Sequence, residues 1–192
     1  MHIPNYEAVV QKCVAIAKRA YPNTTNPKII DVGSATGYTL AELRKAGFEN
    51  VWGVDNSEAM LERSRVQEQL ILSHAFPKRE GPFHMVLANW TLHFIMERRA
   101  YLEDIRSSLR EGGILILTDK MTSTPFIHER YHDFKRAMGV SESEIARKQA
   151  SLVGVLETLP LEWYFETLKD LEFRNVSVID AAYCFNTLIA FK

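Results

Sequence analysis

The chain has 192 residues, 46% of them hydrophobic and 24% charged, enough ordinary globular sequence to bury a full core in one domain. Its net charge of −1 excludes a global field that would draw the molecule to nucleic acid or to an anionic membrane. Basic pairs such as Lys78-Arg79, Arg98-Arg99, Lys135-Arg136 and Arg147-Lys148 are interleaved with acids, the pattern of solvated helix faces rather than of a nucleic-acid track.

Apolar positions Ala8, Val9, Cys13, Ile16 and Ala17 recur at helical spacing and predict a helix from Tyr6 to Ala20. Pro22 and Pro27 bracket a loop, and Lys28 to Val32 reads as a first buried strand. A helix from Tyr38 to Ala46 stops at Gly47. Val51 to Val54 is a second strand, and Ser57 caps a helix running to about Gln67. Leu70 to Leu72 reads as a short third strand. Phe83 to Ala88 is a fourth, with Asn89 at its carboxyl end. Glu97 to Leu109 reads as a helix closed by Gly112-Gly113, and Ile114 to Thr118 as a fifth strand. Residues 126–138, 142–157 and 161–170 read as helices. Val176 to Ile179 and Phe185 to Phe191 are two closing strands expected to pair antiparallel, with Cys184 in the terminal strand.

Alternating strands and helices, with continuously apolar strands, predict an α/β fold with a doubly wound, mostly parallel sheet. One domain over 1–192 is expected, with a helical insertion at about 122–158 between the fifth strand and the C-terminal part. No run is apolar enough to span a bilayer, and no signal peptide is visible, so the expectation is a cytoplasmic protein without membrane attachment. Cys13 and Cys184 lie far apart with no C-x-x-C spacing, and read as reduced, buried thiols.

The most informative segment is Ile29-Ile30-Asp31-Val32-Gly33-Ser34-Ala35-Thr36-Gly37-Tyr38: a buried strand, a glycine turn and the first turn of a helix. Gly33 lets the backbone turn where a side chain would block a ligand, and Gly37 lets the following helix sit close to the sheet. A dinucleotide site needs G-x-G-x-x-G with a helix N-terminus aimed at pyrophosphate. Here the spacing is G-x-x-x-G. Asp55, after the second strand, is placed to accept hydrogen bonds from both hydroxyls of a ribose. This combination points to S-adenosylmethionine (SAM), an adenosine-bearing cofactor without phosphate.

The layout resembles the class I SAM-dependent methyltransferases, through the glycine motif, Asp55, Phe83–Asn89 and Leu109-Arg110-Glu111-Gly112-Gly113. It is further similar to the carboxy-SAM synthase family, through Asn89-Trp90-Thr91-Leu92-His93-Phe94 and Tyr131-His132-Asp133-Phe134-Lys135-Arg136-Ala137-Met138-Gly139. The resemblance implies a Rossmann-like, seven-stranded sheet with an antiparallel last strand. It also implies a homodimer acting on a small molecule, with no direct contact to nucleic acid. The family makes carboxy-SAM from SAM and prephenate, for later modification of a tRNA wobble uridine. Its SAM contacts carry over to Tyr6, Gly33, Ser34, Ala35, Asp55, Asn56, His74, Ala75 and Asn89. Tyr6 would cover the sulfonium or methionine portion, Asn56 flank the adenine, and Asn89 meet the methionine tail.

Two positions depart from the family. His74 stands where the family has Asp, and Gln149 where it has an Arg that pairs with the carboxylate of carboxy-SAM. Gln forms hydrogen bonds but does not neutralise charge. Arg147 lies about 200° around a helix from position 149, so it is expected to point elsewhere. The sequence therefore reads first as a methyltransferase-fold enzyme acting on a small molecule, with carboxy-SAM synthesis as the alternative. A further alternative is cyclisation or cleavage of SAM itself, releasing methylthioadenosine. Tyr131, His132 and His93 are the candidate proton-transfer residues, and Gln149, Trp90 and Arg136 the candidate substrate contacts. Trp163-Tyr164-Phe165 is a candidate lid. His128-Glu129-Arg130-Tyr131-His132 matches the H-E-x-x-H zinc signature. Its position after the fifth strand of a SAM-type sheet favours no metal.

Overall fold

The computed structural model describes residues 3–192; Met1 and His2, part of the expected 1–192 span, lie outside the described residues. The strands are β1 (Ile29–Val32), β2 (Val51–Asp55), β3 (Leu70–Leu72), β4 (Phe83–Asn89), β5 (Leu109–Lys120), β6 (Arg174–Ala182) and β7 (Phe185–Phe191). They form one seven-stranded sheet in the order β3-β2-β1-β4-β5-β7-β6. β7 runs antiparallel to both neighbours, and the other pairings are parallel. The doubly wound sheet with an antiparallel last strand is therefore present as expected.

The helices are α1 (Tyr6–Ala20), α2 (Tyr38–Lys45), α3 (Glu58–Leu61), α4 (Arg98–Ser108), α5 (Pro125–Ala137), α6 (Glu142–Leu152) and α7 (Leu161–Asp170). Alternate strand residues feed two cores, as the two-residue period of a strand requires. Ile30, Val86, Leu115 and Leu117 pack with Leu102, Ile105 and Leu168 of α4 and α7. Ile29, Met85, Leu87 and Ile116 pack on the other face with Val9, Cys13, Leu40 and Leu43 of α1 and α2. Strands buried on both faces explain the continuous apolar runs in the sequence.

Four local expectations are corrected. The fifth strand begins at Leu109 and takes in Gly112-Gly113, which therefore do not close α4. The helix after Ser57 ends at Leu61, not near Gln67. The amide of Arg65 donates instead to the carbonyl of Thr36 in the glycine turn, at 3.0 Å. Ser64 packs against Gly37, where a Cβ would lie 2.3 Å from its Oγ. The helix beginning at residue 142 ends at Leu152, and Gly154 with φ +73 redirects the chain. Glu157 N then donates to the carbonyl of His93 at 2.9 Å, which ties this segment to the sheet edge. Cys184 lies in the turn between β6 and β7 rather than in a strand, and is buried beside Tyr131 and Phe185.

The strand order reverses between β1 and β4. A parallel sheet leaves a crevice at the carboxyl ends of strands at such a point, and Gly33, Asp55 and Asn89 all stand there.

Candidate active site

The glycine turn is held by contacts of its own. Gly33 has φ +69, and a Cβ there would lie 2.2 Å from Thr91 Oγ1. Thr91 Oγ1 contacts the carbonyls of Val32 and Asn89 at 2.9 and 3.0 Å. Gly33 is thus required by its own backbone conformation and by the close approach of Thr91. The expectation of a side chain blocking a ligand is therefore replaced by a clash with Thr91 itself. Ala35 also adopts positive φ, and its amide donates to Asp55 Oδ2 at 2.9 Å. The amide of Ser57 donates to Asp55 Oδ1, also at 2.9 Å. Two backbone donors therefore pin the Asp55 carboxylate at the mouth of the crevice, with lone pairs left for a ligand.

The crevice is a cleft of about 540 Å³. Of the nine cofactor residues expected, Tyr6, Gly33, Ala35, Asp55, Asn56, His74 and Asn89 line it. Ser34 and Ala75 do not: Ser34 is buried behind the turn, and Ala75 is exposed beside it. Asn56 Nδ2 lies 3.4 Å from His74 Nδ1, so these two side chains share one wall. Asn89 accepts from Thr118 Oγ1 at 2.7 Å and approaches Cys13 Sγ at 3.7 Å, so most of its amide is committed to the core. Tyr6 stacks on Trp90 with ring centroids 4.6 Å apart. Lining residues absent from the sequence reading include Thr91, Tyr101, Ile95 and Val155. Thr91, Ile95 and Val155 come from loop segments whose path the local sequence does not state, and Tyr101 reaches the cleft from α4.

Asp31 lies in β1, two residues before Gly33 of this turn. It is fully buried, and desolvation pushes its carboxyl up to about 7, against a hydrogen bond from Thr39 and with the Asp55 charge adding to the rise. A carboxyl raised in the folded state favours folding only while protonated. Its contribution is fully present below about pH 4 and is lost as pH rises to about 7, amounting to up to roughly 4 kcal/mol. Asp31→Asn is therefore expected to gain stability relative to wild type between pH 4 and 7. Urea denaturation of both proteins at several pH values measures the difference, and parallel stability curves would contradict it.

A second chamber of about 640 Å³ joins the cleft, and Trp90 and Phe94 line both. Trp90 Nε1 is buried in this shared wall with no partner among the described residues. The charges of the two cavities differ in sign. Among the described residues, Asp55 is the only Asp, Glu, Lys or Arg lining the cleft. Lys120, Lys135, Arg147 and Lys148 line the chamber, against the single acid Glu144. Lys135 lies 4.3 Å from the Tyr131 ring centroid, and burial, then Lys120, hold its ammonium below the usual lysine range.

Tyr131 and His93 line the chamber, as does Trp90. His132, Gln149 and Arg136 are not among its lining residues. Gln149 Nε2 lies 3.3 Å from His132 Nε2. Arg136 is held by Glu129, Asp133 and Glu142 in an ion-pair cluster on the partly exposed side of α5. Arg147 and Gln149 face different ways, as their separation of about 200° on the helix requires, but it is Arg147 that reaches the chamber, so the expected substrate contact at Gln149 is corrected. The aromatic lid is also corrected: Tyr164 is fully buried, Trp163 packs edge-on against it, and Phe165 borders a separate shallow depression. In the H-E-x-x-H stretch, Glu129 pairs with Arg136 and lies 3.7 Å from His132 Nδ1. Among the described residues, no group of three or more His, Cys, Asp or Glu is arranged to hold a metal ion.

Comparison with known proteins agrees with this geometry. Residues 30–117 match the methyltransferase domain family. A carboxy-S-adenosyl-L-methionine synthase of Helicobacter hepaticus (strain ATCC 51449 / 3B1) is 33% identical, over 99% of this chain and 87% of the relative. Its counterpart in Nautilia profundicola (strain ATCC BAA-1463 / DSM 18972 / AmH) is 34% identical, over 86% of this chain and 77% of the relative. The chain belongs to the carboxy-SAM synthase family. Among solved structures, the SAM-bound magnesium protoporphyrin IX methyltransferase (ChlM) of Synechocystis PCC 6803 superposes with TM-score 0.65 at 16% identity, covering 98% of this chain and 80% of that one. A SAM-dependent methyltransferase of Archaeoglobus fulgidus gives 0.63 at 14% identity, covering 95% and 94%. At these identities the shared property is the fold, that of the class I SAM-dependent methyltransferases. Within this carboxy-SAM synthase relative, the sheet edge that forms the cleft is thus common to the fold, whereas the basic chamber is built largely from α5 and α6.

Proposed function

We propose that the protein combines SAM with an anionic small molecule, in the manner of the carboxy-SAM synthases. The observation that carries this reading is the basic chamber opening onto the cleft across Trp90 and Phe94. The cleft fits SAM by its charge. A lone carboxylate suits a ribose and a cationic ligand, whereas a diphosphate would meet no lysine or arginine there. When bound, SAM supplies the electrophilic sulfonium.

The chain's own residues bind and align. Asp55 takes the ribose hydroxyls, Asn56 and His74 flank the adenine, and Tyr6 with Trp90 places aromatic faces beside a positive sulfur. Lys120, Lys135, Arg147 and Lys148 hold carboxylates in the chamber, and Tyr131 and Phe185 give the apolar body of the substrate a surface. Prephenate, a ring bearing carboxylates, has this chemistry. The segment 122–158, carrying α5 and α6, is the insertion that makes the chamber. We further assign the protein to the cytoplasm, as a homodimer without direct contact to nucleic acid. Among the described residues, no helix is long and apolar enough to cross a membrane.

A specific observation favours a second reading. Gln149 occupies the place of the family's arginine and meets His132, so a product carboxylate on SAM would lack that partner. Methyl transfer to the anion would then replace carboxy-SAM formation. Incubation with SAM and prephenate, followed by mass spectrometry, separates the readings. Carboxy-SAM is the expected product, and S-adenosylhomocysteine would identify methyl transfer. Methylthioadenosine from SAM alone would point to self-cyclisation or cleavage. Recovery of both reactants unchanged would overturn the proposal.

A further inference from the structure

His93 is backed by a buried polar chain that the cofactor site does not use. Asp119, at the carboxyl end of β5, is fully buried. Its Oδ1 accepts from the amide of His93 at 3.1 Å and pairs with His93 Nδ1. Its Oδ2 accepts the hydroxyl of Tyr164. That hydroxyl accepts from Arg98 Nη1 at 3.0 Å, and Arg98 donates its other nitrogens to the carbonyls of Leu92 and Glu157, at 2.8 and 2.9 Å. Burial, reinforced by the Asp119 charge, pushes the Tyr164 hydroxyl up, which keeps it a donor.

A buried carboxylate alone is costly, and a carboxylate with every oxygen satisfied by fixed donors is held in one orientation. His93 Nδ1 pairs with Asp119 and also lies 3.4 Å from the amide of Lys120, a long contact beside the carboxylate pairing, while the ring lines the basic chamber and Nε2 makes no hydrogen bond among the described residues. A clamp that only tied loops together would not require an imidazole held by a buried carboxylate at the wall of a cavity. The arrangement is that of a base whose tautomer a carboxylate selects.

Resting on the chamber being the substrate site, we propose that His93 is a catalytic proton acceptor for the anion bound there, and that Asp119, braced by Tyr164 and Arg98, is its positioning residue. The Nε2 lone pair takes a proton from a substrate C–H, whose bonding electrons stay on carbon as an enolate or carbanion. The imidazolium remains paired with Asp119 and gives that proton to the hydroxyl that leaves with the electrons of its C–O bond, so that water departs. The charged and titratable groups sharing the chamber with His93 are Lys120, Tyr131, Lys135, Glu144, Arg147 and Lys148. Four cations there favour the deprotonated, anionic form of the substrate.

Long-range proton–nitrogen NMR of histidine-labelled protein tests the geometry without turnover. His93 is expected in the Nδ1–H tautomer with a strongly deshielded proton, which Asp119→Asn removes. An Nε2–H tautomer, or a resonance indifferent to Asp119→Asn, would overturn the proposal. In turnover of SAM with prephenate, Asp119→Asn is expected to lower kcat about tenfold with KM for SAM unchanged, and Asp119→Glu to recover part of the loss. An unchanged kcat would equally overturn it. If Asp119→Asn does not fold, Tyr164→Phe keeps the test: it is expected to shift the deshielded resonance and lower kcat, and no change in either counts against the proposal. Because the tautomer is read without substrate, its failure is distinct from failure of the chamber assignment, which would show as no resonance in the chamber moving on addition of prephenate.

Discussion

Asp55→Ala is expected to weaken SAM binding by about 100-fold. A carboxylate accepting two ribose hydroxyls contributes charge-assisted hydrogen bonds worth roughly 1.5–3 kcal/mol each, and loss of about 3 kcal/mol in total corresponds to that factor. The substitution acts in a second way. It frees the amides of Ala35 and Ser57, which the two carboxylate oxygens now hold, and so loosens the glycine turn that forms the floor of the cleft. Asp55→Asn separates the two effects, since its amide oxygen keeps one acceptor and its volume preserves packing. Calorimetric titration with SAM measures both variants. An Asp55→Ala protein that binds SAM as wild type does would remove Asp55 from the cofactor site.

Lys135→Ala combined with Arg147→Ala is expected to raise KM for prephenate by about 100-fold while leaving SAM affinity unchanged. Each removes a cation from the chamber, at roughly 1.5–3 kcal/mol per charge-assisted contact. Lys135 is the more sensitive of the two. Its ammonium is held below the ordinary range by burial and by Lys120, and a carboxylate beside it offsets both. The cleft and chamber share Trp90 and Phe94 but not their charged residues, so the two ligands should respond independently. Wild-type binding of prephenate should also weaken as salt rises, because Arg147 and Lys148 are exposed and screened. Steady-state kinetics at fixed SAM checks the expectation, and an unmoved KM would place the anion elsewhere.

Much of the fold was legible because its signals are local. The spans of α1, β3 and β7 follow from helical or strand periodicity bounded by proline, glycine and polar residues, and the structure matches them to the residue. Elements that failed the prediction were overruled by distant contacts. Ser64 and Arg65 belong to the glycine turn rather than to a continued α3, and Glu157 is held by His93 rather than by a fourth turn of α6. Periodicity does not report a hydrogen bond made across the sheet.

The site divides in the same way. Asp55 and the turn at Gly33 and Gly37 were readable because strand, glycine and carboxylate occur in a fixed order over a short stretch. Asn56 and His74 were placed through family resemblance, and the structure sets them side by side. The sequence by itself determined the sheet type, the position of the switch-point crevice and the cofactor class, since each depends on pattern within an element. Only the tertiary structure decided which cations meet. Lys120 on β5, Lys135 on α5 and Arg147 and Lys148 on α6 converge because the segment between β5 and α7 folds back over the sheet edge. The same folding turns Gln149 toward His132 and brings Asp119, Tyr164 and Arg98 together behind His93. Charge and hydrogen bonding act through space, and the partners of these groups lie far apart along the chain.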